Sequence, residues 1–130
     1  MKLVLAHYML CFTGWTQLPP APASAWNATC LDEITVAHTH ELDGFALEYG
    51  LADYTPQLDA MFAACERFNA RVPHPTNPTT RPFRLLPILD VMKIKGSGPN
   101  FTRMAEQLLR HANSSCQLRG LGGTATSTSF

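Results

Sequence analysis

Histidine and cysteine are the side chains here with the widest reach in chemistry, and their spacing limits what they can do. His38 and His40 stand two apart, so on a helix they point to different faces. His7, His74 and His111 are scattered, and no cysteine–histidine spacing matches a zinc module. No nucleophile elbow, phosphate loop, HExxH or paired-carboxylate motif is present. These absences predict neither metal nor cofactor, and no enzyme. His38 falls on an apolar stripe, where a core or boundary role is expected.

The elements that would carry these residues are read from period and punctuation. Leu31, Ile34, His38, Leu42, Phe45 and Tyr49 recur at steps of three or four, which predicts a helix from about Cys30 to Tyr49. Thr29 would cap it, Asp32 and Glu33 suit its first turn, and Gly50 would close it. A second helix should start at Thr55-Pro56, bury Leu58, Met61, Phe62, Cys65 and Phe68, and end at Pro73. The prolines at 73, 75, 78 and 82 predict an extended connection. Residues 83–95 leave helix and strand both open, with a short strand near 91–95 as one outcome. A last helix from about Pro99 to Asn113 presents Phe101, Met104, Ala105, Leu108 and Leu109. The expected fold class is therefore all-α, a small bundle of three or four helices.

The amino terminus reads as a secretory signal. Lys2 is the charged start, Leu3–Trp15 is mostly apolar, and Ala23-Ser24-Ala25 offers a cleavage site. This divides the chain into a signal peptide at 1–25, a helical domain at 26–116 and a disordered Gly/Ser/Thr tail at 117–130. No later apolar run is long enough for a membrane span. Acceptor sequons at Asn27, Asn100 and Asn113 fit an exported glycoprotein, secreted and extracellular.

Loss of Cys11 with the signal would leave Cys30, Cys65 and Cys116, an odd number. In a bundle, the start of the first helix and the end of the last can meet at one pole. That favours a Cys30–Cys116 disulfide, worth about 4 kcal/mol on the loop-entropy account, with Cys65 buried as a free thiol. The alternative is a cysteine that links two chains, so a monomer is favoured over a disulfide-linked dimer.

Charge is balanced overall but divided along the chain. Residues 26–66 carry eight acidic side chains and no Lys or Arg, whereas nine basic and two acidic ones follow from Arg67. Two surfaces of opposite sign could steer different protein partners, or simply attract one another in the fold. Spread-out positive charge argues against nucleic acid.

Several strings resemble the short-chain four-helix cytokines, most of all the interleukin-3, granulocyte–macrophage colony-stimulating factor and interleukin-5 group. Asn27-Ala28-Thr29-Cys30-Leu31-Asp32-Glu33-Ile34 is similar to the glycosylated entry to that family's first helix. Ile94-Lys95, Asn100-Phe101 and the helix behind them resemble its last strand-to-helix passage. The resemblance implies a ligand for a cell-surface receptor. Glu33 would meet the shared receptor chain, and Arg103, Glu106 and Arg110 the ligand-specific one. The competing expectations are a secretoglobin-like helical carrier of apolar ligands, and a viral or pathogen accessory glycoprotein acting in a complex.

Overall fold

A computed structural model describes residues 2–10, 23–49, 55–71, 81–89 and 98–118. They alternate strand and helix: β1 (Leu5–Met9), α1 (Ala23–Thr39), β2 (Gly44–Tyr49), α2 (Thr55–Arg71), β3 (Arg84–Leu89) and α3 (Gly98–Leu109). The strands form one parallel sheet in the order β1-β2-β3. The all-α bundle is thereby overturned in favour of an α/β architecture.

The first correction lies at residues 40–49. The predicted helix ends early, because α1 stops at Thr39 and Glu41 turns into the left-handed region at φ 63°. Glu41 N–H donates to the His38 carbonyl and Leu42 N–H to the Ala37 carbonyl, each at 3.0 Å. This is the paired bonding of a Schellman close, with glutamate where glycine is usual. The chain then extends, and Phe45 and Leu47 alternate as a strand requires. Gly44 lies so close to β3 that a Cβ there would overlap the Arg84 carbonyl oxygen. At the other boundary, α1 begins seven residues ahead of Cys30, at Ala23.

β1 occupies the segment expected as the apolar part of a signal, and Ala23–Ala25, the expected cleavage site, opens α1. β3 resolves the ambiguity at 84–89 in favour of a strand. The short strand near 91–95, the proline connection from 73 to 80 and the tail from 119 onward lie outside the described residues. Gln117 and Leu118, placed with the tail by the sequence, are ordered against β3: Leu85 pairs with Gln117, and Leu118 N–H donates to the Leu85 carbonyl at 2.8 Å.

α2 follows its expected course and buries Leu58, Met61, Phe62 and Cys65. α3 is shorter than expected; Met104 is buried, but Leu109 is 66% exposed and leaves the stripe. Trp26, Cys30 and Ile34 from α1, the α2 stripe and Met104 join Phe45, Leu47 and Leu85 in one core. All three helices thus cover one face of the sheet. Each large apolar side chain buried there contributes about 1.5–3 kcal/mol.

Candidate binding site

Strand alternation sends Ala6, Tyr8, Phe45, Leu47 and Leu85 toward the helices and Leu5, His7, Met9, Ala46, Glu48, Leu86 and Ile88 to the opposite face. Among the described residues no helix covers that face, and Ile88 is 40% exposed. Parallel sheets are ordinarily covered on both sides, and here Leu5, Met9, Ala46, Glu48 and Leu86 are half-buried while His7 and Ile88 are exposed. The centre of this face holds a close polar contact, with His7 Nε2 and Glu48 Oε2 2.6 Å apart. Glu48 pairs directly with Met9 across β1–β2, which makes His7 its diagonal neighbour. The carboxylate side chain is 15% exposed and the imidazole 57%, so His7 forms the rim and Glu48 the floor. Leu10 N–H donates to the Glu48 carbonyl at 3.0 Å and fixes the carboxyl end of β1 against β2.

A second polar group lies on the helix side. The Tyr8 hydroxyl donates to Glu33 Oε2. Burial pushes the Glu33 carboxyl above its ordinary range, and the Tyr8 hydrogen bond offsets part of that. Burial, with Glu33 adding to it, pushes the neighbouring Cys30 thiol up to about 12. Glu33 is therefore half-buried and engaged with β1.

The other sequence-derived positions are scattered. Arg103 and Glu106 are exposed on α3, and Arg110 follows it, with Nη2 3.3 Å from Asp59 Oδ2 on α2. His111 Nε2 lies 2.7 Å from Asp59 Oδ1, and its ring stacks on Phe62 at 4.2 Å. His38 is half-buried, edge-on to Phe68 at 5.0 Å. Asn27 is half-buried on α1, Asn113 is exposed after α3, and Asn100 stands in the first turn of α3. Cys30, Cys65 and Cys116 are all buried free thiols. Cys116 lies against Cys65 rather than Cys30. Cys30 lies inside α1 and not at its start, so the shared pole expected of a bundle does not form in this topology.

Among the described residues, no group of three or more His, Cys, Asp or Glu side chains is arranged to hold a metal ion, and no helix is long and apolar enough to cross a membrane. The His7–Glu48 pair had escaped sequence reasoning, because 41 residues separate its members and only the β1–β2 register joins them. Protein-family models, curated proteins and solved structures all yield no match to the chain.

Proposed function

We infer that this protein is a binding module whose ligand docks on the sheet face opposite the described helices, around His7 and Glu48. The observation that carries this is their 2.6 Å contact across two adjacent parallel strands, His7 from the middle of β1 and Glu48 from near the end of β2. A carboxylate beside an imidazole offers acceptors and a donor together, which suits a small molecule bearing hydroxyl or amine groups. Met9, Leu86 and Ile88 supply apolar surface beside it.

Two-dimensional amide NMR with a panel of small polyols and amines tests it. Shifts should concentrate at His7, Met9, Leu10 and Glu48, and vanish in His7→Ala and Glu48→Gln. Shifts confined to the helices, or unchanged in both variants, would remove the assignment.

An exported glycoprotein that binds a cell-surface receptor is the second reading, favoured by the exposed Asn113 in its sequon. Glu33 contributes less to this reading than its sequence position promised, because Tyr8 holds it. Protein recovered from culture medium should shift in mass on glycosidase treatment, and unmodified protein retained in cells would eliminate this reading.

A further inference from the structure

Cys65 and Cys116 face one another closely enough for a thiol–thiol hydrogen bond, and the Cys65 thiol also donates to the Phe83 carbonyl at 3.3 Å. Asn69, one turn beyond Cys65, reaches both: its Nδ2 lies 3.8 Å from the Cys65 sulfur and 3.3 Å from that of Cys116. Cys65 belongs to α2 and Cys116 to the segment behind α3, so the contact spans 51 positions of chain. That segment is also tied to β3, because Leu85 N–H donates to the Cys116 carbonyl at 2.7 Å. Cys30 stands apart on α1, beside Glu33 and Tyr8.

We propose that Cys65 and Cys116 form a reversible disulfide that fastens residues 114–118 onto α2 and β3, with a small-molecule disulfide as the oxidant. The inference is independent of the sheet-face ligand. Three features point to it. One amide nitrogen, that of Asn69, is within reach of both sulfurs, which sets the two thiols side by side as a bridge requires. They lie on elements far apart in sequence, so a bridge restrains a long loop. And the two are unequal: hydrogen bonds from Cys65, Ser114 and Ser115 hold Cys116 below the ordinary thiol range against its burial, whereas the bond to Cys116 and burial push Cys65 up.

That inequality sets the order of events. Both sulfurs are fully buried, so reaction begins when the 114–118 segment lifts from β3. The Cys116 thiolate attacks one sulfur of the small disulfide, whose S–S bond breaks and releases one small thiolate. That thiolate takes the proton of Cys65. The Cys65 sulfur then attacks Cys116 in the mixed disulfide and displaces the second small thiolate, which is protonated from water. The protein loses two electrons and its two thiol hydrogens, and the oxidant becomes two thiols.

The test uses the full chain equilibrated with oxidised and then reduced glutathione. Peptide mapping under non-reducing conditions should recover Cys65 joined to Cys116 in the wild type and in Cys30→Ala. Hydrogen exchange at the Leu85 and Leu118 amides should slow by roughly tenfold on oxidation and recover on reduction. Cys116→Ala and Cys65→Ala, each checked for folding by circular dichroism, should show no such redox response. A bridge that uses Cys11 or Cys30 instead, or two thiols still free at equilibrium with the oxidant, would overturn the proposal. So would exchange at Leu85 and Leu118 that is indifferent to a bridge once formed.

Discussion

Asn69 holds both backbone polar atoms of Phe83. Its Nδ2 donates to the Phe83 carbonyl at 3.0 Å, and its Oδ1 accepts from the Phe83 N–H at 2.8 Å. Phe83 is itself fully buried, edge-on to Phe45 at 4.9 Å. One amide on α2 thus does the work of a strand neighbour, and the chain enters β3 already fixed against the helix layer. Asn69→Ala leaves that buried N–H and carbonyl without the amide, and should cost about 2–3 kcal/mol in urea unfolding. A loss under about 0.5 kcal/mol would show that Phe83 is held by packing alone.

Glu41 occupies the position where α1 reverses. A non-glycine residue pays about 1–2 kcal/mol for the left-handed conformation. Glu41→Gly should therefore raise the unfolding midpoint, by about 0.5–1 kcal/mol after the added freedom of the unfolded glycine is deducted. Glu41→Val should lower it. Equal midpoints for both variants would mean that the turn is not held as described.

Glu33 makes stability depend on pH. Its carboxyl is raised in the folded chain, first by burial, with the Tyr8 bond acting in the opposite direction. A folded value above the unfolded one means the native state binds the proton more tightly. The resulting stabilisation is complete below the ordinary carboxylate value of 4.5 and is lost as pH rises through the raised one. Relative to Glu33→Gln, the wild type should lose stability across that window. Tyr8→Phe should steepen the loss, since it removes the hydrogen bond that favours the carboxylate. Denaturant midpoints at a series of pH values measure both, and parallel curves for all three proteins would refute the assignment.

β1 and a cleaved leader are exclusive uses of the same residues. A chain starting at Trp26 lacks Ala6, Tyr8 and Leu10, and with them the ring contact of Tyr8 to Phe45 at 5.0 Å. It also lacks the first turn of α1. Such a chain should show no cooperative thermal transition in near-ultraviolet circular dichroism. If it melts like the full chain, the sheet does not depend on its first strand, and cleavage at Ala25 becomes compatible with the fold.

What the sequence disclosed follows from how local each signal was. α2 was legible because Thr55-Pro56 marks its start and its buried stripe obeys one period throughout. β2 was hidden because Leu42, Phe45 and Tyr49 happen to continue the spacing of Leu31, Ile34 and His38. The residue that breaks the helix is a glutamate, which carries no turn signature. β1 was hidden for a different reason: a short apolar run behind Lys2 with Ala-x-Ala downstream satisfies the leader pattern as well as the strand pattern. Once the architecture was taken as helical, the cysteines were paired by the wrong poles. The site was least legible of all, since the β1–β2 register that joins its members is set by a crossover and not by any string.

The order of the strands also carries a direction of growth. Each crossover returns over the same side, so helices accumulate there while His7 and Glu48 stay on the other. Helices are wider than strands, so helices gathered on one surface set the spacing there while the strands alone set it on the other. Gln117 and Leu118, bonded beside β3, carry the parallel pairing one step past the third strand on the same edge.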